Sequence, residues 1–154
     1  MELRLDILFA DDDLNDRALL GTAVHKTDLN IWLHTVADGE QAIDYLEGRG
    51  VYADRSLYAV PNLLILDLNM RLTDGFEFLD WRRSSRSFSS LPVVLFSGVA
   101  YKGAIDEALA MGASRFIPKP SEFDGWKAVA REIWDFGMEC RNQAAEPLGG
   151  ERHL

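Results

Sequence analysis

Residues 62–67 read NLLILD, and the way this run ends decides the fold. Leu63 to Leu66 are uninterrupted apolar residues bounded by Asn62 and the charged Asp67, which suits a short strand buried on both faces better than a helix. Three further runs are built alike. Leu5 to Ala10 (LDILFA) stops at Asp11-Asp12-Asp13, Pro92 to Phe96 (PVVLF) stops at Ser97-Gly98, and Ser114 to Ile117 stops at Pro118-Lys119-Pro120. Asn30 to Val36 (NIWLHTV), rich in β-branched and aromatic residues, reads as the remaining strand.

Helical segments fill the spaces between these strands. Asp13 is placed to cap a helix from about Leu14 to Lys26, whose apolar positions are Leu14, Ala18, Leu19, Ala23 and Val24. Asp38-Gly39 turns into a helix carrying Ala42, Ile43 and Leu46, and Gly48 ends it. Gly48 to Pro61 shows no period and reads as a longer surface connection. Thr73-Asp74-Gly75 opens a helix with Phe76, Phe78, Leu79 and Arg82, and another runs from about Gly103 to Met111, stopping at Gly112. The last helix, about Glu122 to Glu139, has the clearest amphipathic pattern. Trp126, Val129, Ala130, Ile133, Trp134 and Phe136 share its apolar side, an arc wider than one docking stripe requires. Both tryptophans read as packing residues, and the spare width suits a dimer or partner surface.

Five strands alternating with five helices specify an open, doubly wound parallel sheet of the α/β class. Ligands of such sheets bind at the carboxyl ends of the strands. There the sequence delivers Asp11 and Asp12 from the first strand, Asp67 from the third, Ser97 from the fourth and Lys119 from the fifth. Three converging carboxylates repel one another, which raises at least one pKa, and a hard cation such as Mg²⁺ removes that cost. With an amine and a hydroxyl alongside, the set suits phosphoryl transfer, with Asp67 as nucleophile.

The remaining composition narrows the function. A single domain is expected for 154 residues, with residues 1–142 as the folded domain and 143–154 as a flexible tail. The net charge of −9 argues against a protein that grips a phosphate backbone. One cysteine, Cys140, excludes an intrachain disulfide and a Cys-rich metal site, and is read as an incidental thiol near the helix end. His25, His34 and His153 lack metal-ligand spacing. With no signal-like N-terminus and no transmembrane-length apolar run, a cytoplasmic protein is expected.

The ordered segments ILFADDD, LLILDLNMRLTDGFEFL, VVLFSG and GASRFIPKP resemble the receiver domains of bacterial two-component response regulators, over about residues 4 to 138. The resemblance implies a flavodoxin-like sheet of order 2-1-3-4-5 and a phosphoryl group accepted on Asp67 from a sensor histidine kinase or a phosphotransfer protein. It further implies Mg²⁺ bound by Asp12 directly, by Asp11 mainly through water, by Asp67, and by the main-chain carbonyl of Asn69. Ser97 and Phe116 would be the switch pair, and Lys119 the phosphoryl-binding amine. The peptide before the following Pro120 is cis in many relatives. The surface formed by the fourth helix, fifth strand and fifth helix would then change its association, with a homodimer through the last helix as one expectation.

Arg71 stands where receivers usually carry proline, which bears on loop rigidity and phosphoryl lifetime; Asn69 and Val99 flank the expected path of the attacking water. The long Gly48–Pro61 connection and the aromatic last helix resemble stand-alone receivers paired with phytochrome-type kinases. No output domain is expected, so signalling would pass through association rather than direct contact with nucleic acid. Two alternative readings stand beside this one. One is an unphosphorylated pseudo-receiver, which the intact acidic set and Lys119 oppose. The other is a Mg²⁺-dependent phosphohydrolase of the haloacid-dehalogenase type, whose second aspartate two residues after the nucleophile is here replaced by Asn69.

Overall fold

The structure is a computed structural model that describes residues 3–70, 72–98 and 101–145. Five parallel strands, β1 (Leu5–Ala10), β2 (Ile31–Val36), β3 (Leu63–Leu66), β4 (Val93–Ser97) and β5 (Arg115–Pro118), pair in the order β2-β1-β3-β4-β5. Between and after them come α1 (Leu14–His25), α2 (Gly39–Glu47), α3 (Gly75–Arg83), α4 (Lys102–Ala110) and α5 (Phe123–Ala145). The expected flavodoxin-like α/β architecture and strand order are thus the observed ones.

Alternation along the strands divides the core in two, because successive side chains point to opposite faces. Leu5, Ile7 and Phe9 join Ile65, Phe96, Ile117 and the apolar side of α5 beneath α1. Leu8, Ala10, Leu64, Leu66, Val93 and Leu95 join Tyr45, Phe78 and Ala108 beneath α2, α3 and α4. With both faces covered, β3 and β4 are buried along their whole length, the physical reason for their unbroken apolar sequences.

Local signals set the helix ends. Asp13 accepts from the amides of Asn15 and Asp16, Asp38 from Gln41, and Asp74 forms a capping box with Glu77. Gly48, at φ +69, closes α2 in the left-handed conformation. Gly75 is required for close approach: a Cβ there would lie 2.7 Å from the Leu68 Cα and 2.9 Å from the Asp67 carbonyl oxygen. The chain after Asp67 therefore turns straight back onto itself.

Several expectations change. In α1 only Leu20 and Ala23 are buried, and Leu14 is exposed beside the acidic strand ends. α5 continues to Ala145 rather than ending near Glu139, so residues 143–145 are helical and not part of a tail; Arg141 on this added turn donates to the Arg4 carbonyl. Trp126 is buried and Trp134 half-buried against the α1/α5 core, as packing residues. The Gly48–Pro61 segment is a surface connection, as expected, but it carries local structure. It holds a 3-10 turn at Gly50–Tyr52, and Arg55 donates to the carbonyls of Tyr45, Leu46 and Tyr58 at 2.8, 2.5 and 3.0 Å. Tyr52 and Tyr58 pack around Tyr45 in tilted and edge-to-face contacts, with His34 against Tyr45 and Tyr58. Among the described residues no peptide bond is cis, including the one before Pro120. Arg71, Val99 and the segment 146–154 lie outside the described residues.

Candidate functional site

The carboxyl edge of the sheet gathers the acidic residues because β1 and β3, neighbours in the parallel sheet, both end there. The Asp11 amide continues the β1–β2 ladder onto the Val36 carbonyl, and the Asp67 amide continues β3 onto the Ala10 carbonyl. These two bonds fix the backbones that carry the carboxylates. Oxygen atoms of Asp11, Asp12 and Asp67 all lie within 4.8 Å of one another. Asp11 and Asp67 are buried, while Asp12 is half-buried at the mouth.

Lys119 reaches this group from the end of β5, its amide anchored on the Ser97 carbonyl at 3.0 Å. Its Nζ lies 2.7 Å from Asp11 Oδ2, 2.8 Å from Asp16 Oδ2 and 2.9 Å from Asp67 Oδ2. Asp16 is the participant the sequence reading missed. The available signal was its position three residues after the capping Asp13, which turns it back over the strand ends. One ammonium therefore serves three carboxylates, and a fourth, Asp12, stands beside them.

This imbalance appears in the titration of the groups. Asp11 is pushed up to about 6, first by burial and to a lesser degree by the charge of Asp67, against the lowering pull of Lys119 and the Asp13 amide. The expected repulsion is present, but desolvation is the larger cause. For Lys119, burial works against the charge, yet bonds to Asp11, Asp16 and Asp67 outweigh it and hold the ammonium above its ordinary value. Asp11 Oδ2 makes a close ion contact with Lys119 but has no aligned hydrogen-bond donor, so a buried carboxylate oxygen retains accepting capacity. A compact all-oxygen donor set with excess negative charge fits a hard divalent cation such as Mg²⁺.

The other predicted residues border this centre. The Asn69 amide donates to Asp67 Oδ1 at 3.0 Å, which holds the backbone of Asn69 against the acidic group. Asn69 Nδ2 reaches Ser97 Oγ at 3.4 Å, bringing the β4 hydroxyl to the same mouth. Phe116 is half-buried in β5, opposite Leu95, and packs against the core beneath α2 to α4. It lies on the strand neighbouring Ser97 but two register positions away, since Ser97 is opposite Pro118.

A doubly wound sheet whose carboxyl edge joins an acidic cluster to a single lysine has the receiver architecture. The chain belongs to the response regulator receiver domain family, which it matches over residues 7–131. It is 30% identical over 115 residues to the response regulator Rre1 of Synechocystis sp., covering 75% of this chain and 43% of that protein, so it spans less than half of that relative's length. Among solved structures it is similar to response regulator RPA3017, described in red light signaling of R. palustris, with a TM-score of 0.79, 30% identity and coverage of 87% and 93%. The phosphorylated cyanobacterial phytochrome response regulator RcpA gives a TM-score of 0.75 at 26% identity, covering 86% of this chain and 94% of that one. No helix among the described residues is long and apolar enough to cross a membrane.

Proposed function

We propose that this protein is a cytoplasmic response regulator that accepts a phosphoryl group on Asp67 from a sensor histidine kinase of the phytochrome type. The observation that carries this reading is the contact of Lys119 with Asp67 at 2.9 Å inside the cluster of Asp11 and Asp12. Asp11, Asp12, Asp67 and the main-chain carbonyl of Asn69 would hold Mg²⁺, which when bound supplies charge neutralisation for the phosphoryl oxygens.

The chain's own residues supply the rest. An ionised oxygen of Asp67 attacks the phosphorus of the kinase phosphohistidine. The phosphorus–nitrogen bond breaks, its electron pair returns to the imidazole, and an acyl phosphate forms on Asp67. Lys119 already lies at the Asp67 carboxylate, so its charge is in place for a phosphoryl oxygen at no cost of rearranging a distant group. Ser97 offers its hydroxyl to another oxygen, and its movement lets the Phe116 ring turn inward. Hydrolysis, with water attacking the phosphorus, releases inorganic phosphate and restores the Asp67 carboxylate. The protein thus acts on its own phosphoryl group and turns over no separate substrate.

The switch would be read at the face of α4, β5 and α5, with a homodimer through α5 as one output and without direct contact to nucleic acid. The phytochrome-type partner is supported by the likeness to RcpA and RPA3017. The test is transfer from a radiolabelled, autophosphorylated phytochrome-type kinase. The label is expected to move to this protein within seconds to minutes and to be absent from Asp67→Asn. Equal transfer from unrelated histidine kinases would overturn the partner assignment. For the dimer, sedimentation that shows the same monomer at high concentration with and without phosphorylation would overturn that part.

A further inference from the structure

The opposite, amino edge of the sheet holds a buried cation that the phosphoryl chemistry does not use. Arg82, near the end of α3, is only 6% exposed. Its Nε and Nη2 converge on one acceptor, the Leu91 carbonyl, at 2.9 and 2.6 Å. Among the described residues no carboxylate pairs with Arg82, and its Nη1 makes no hydrogen bond. Gly112, at φ +110, makes room for that nitrogen, since a Cβ there would lie 3.0 Å from it. Burial lowers the guanidinium's pKa, with no neighbouring charge opposing the shift. With Nε and Nη2 tied to one carbonyl, the remaining Nη1 keeps contact with solvent, so the guanidinium has a donor and a charge that an anion can meet.

Arg82 lines a cavity of about 480 Å³ with Arg141, Asn62, Ser90 and Ser114, and no aspartate or glutamate lines it. The lining is therefore basic, in a chain that has 25 acidic and 16 basic residues. The donors come from the residue before β3, the α3–β4 loop, the residue before β5 and the last turn of α5. Two arginines beside amide and hydroxyl donors, with no carboxylate in the lining, suit an oxyanion, and arginine is suited to phosphate oxygens.

We propose that this cavity binds a small oxyanion of the phosphate class, with Arg82 and Arg141 providing charge and Asn62, Ser90 and Ser114 providing neutral hydrogen bonds. The site is separate from the acidic cup, which lies at the other ends of the same strands and would repel an anion when no cation is present.

Cys140 lies on the cavity wall and is the chain's one cysteine, so its alkylation reports on this site alone. The experiment measures the rate of modification by uncharged N-ethylmaleimide in added inorganic phosphate or pyrophosphate, without divalent cation and at ionic strength matched with chloride. Protection that saturates is expected, reaching about tenfold when the anion is at about ten times its dissociation constant. Arg82→Met and Arg141→Gln should each abolish it while circular dichroism stays unchanged. If Arg82→Met fails to fold, Arg141→Gln alone decides, because Arg141 is outside the core. Absence of protection, protection that rises without saturating, or equal protection in the folded variants would overturn the proposal.

Discussion

The two edges of the sheet treat buried charge in opposite ways. At the carboxyl edge Lys119 is set against Asp11, Asp16 and Asp67, so charge faces charge and acid remains in excess. Towards the other end, arginines are fixed by backbone carbonyls: Arg55 by Tyr45, Leu46 and Tyr58, Arg82 by Leu91, and Arg141 by Arg4. A carbonyl holds a guanidinium in place without neutralising it, which makes a rigid structural tie. A cluster of carboxylates around one ammonium changes its balance whenever a cation or a phosphoryl group arrives. The same strands thus carry a responsive edge and a fixed one.

This contrast can be broken by substitution. Asp67→Asn should abolish phosphoryl acceptance completely while leaving the melting temperature equal or higher, because it removes one of the repelling charges; intact mass and calorimetry read the two effects. Lys119→Met should leave Asp11, Asp16 and Asp67 without their cation and cost about 3 kcal/mol in metal-free buffer. Added Mg²⁺ should recover much of that loss, and the variant should accept phosphate yet switch poorly. At the fixed edge, Arg55→Ala should also cost about 3 kcal/mol, by losing charged hydrogen bonds to three carbonyls. Here Mg²⁺ should stabilise the variant only as much as it stabilises the wild type, leaving the deficit unchanged, and phosphorylation should proceed. A deficit of Arg55→Ala relative to wild type that shrinks in Mg²⁺ would contradict the division between the two edges.

The pH dependence sharpens the same comparison. Asp11 is raised from 3.8 to about 6, so between those values the folded protein holds more protons than the unfolded chain. Metal-free stability contributed by this group is therefore greatest below about pH 4 and lost as pH rises through about 6. A divalent cation needs the ionised carboxylate, so the melting-temperature gain from Mg²⁺ should be larger at about pH 7.5 than at about pH 5. The smallest effect is expected for Asp74→Ala, which removes the capping box of α3 and should cost about 1 kcal/mol with little change in phosphorylation.

Most of the framework was legible because each strand is a short apolar run stopped by a polar residue, and each stop lands on the same edge. The sheet covered on both faces turns Leu63–Leu66 and Val93–Phe96 into unbroken apolar sequence, and the caps Asp13, Asp38 and Asp74 mark the helix starts. What stayed hidden depends on contacts distant in sequence. Asp16 reads as a surface helix residue until Lys119, more than one hundred positions later, comes to lie against it. The order in residues 48–61 comes from one arginine meeting three carbonyls and from tyrosines packing tilted and edge-on around Tyr45, neither of which leaves a period in the sequence. Arg82 read as one more position of an amphipathic helix, and only the fold reveals that no carboxylate among the described residues comes to meet it.

The most direct test of the central claim is intact mass after incubation with acetyl phosphate, comparing protein with Mg²⁺, protein without it, and Asp67→Asn with Mg²⁺. The account predicts one phosphoryl adduct that forms only in the first of these. An adduct that persists in Asp67→Asn would contradict the assignment of the phosphoacceptor, and an adduct that forms equally without a divalent cation would contradict the role given to the acidic cup.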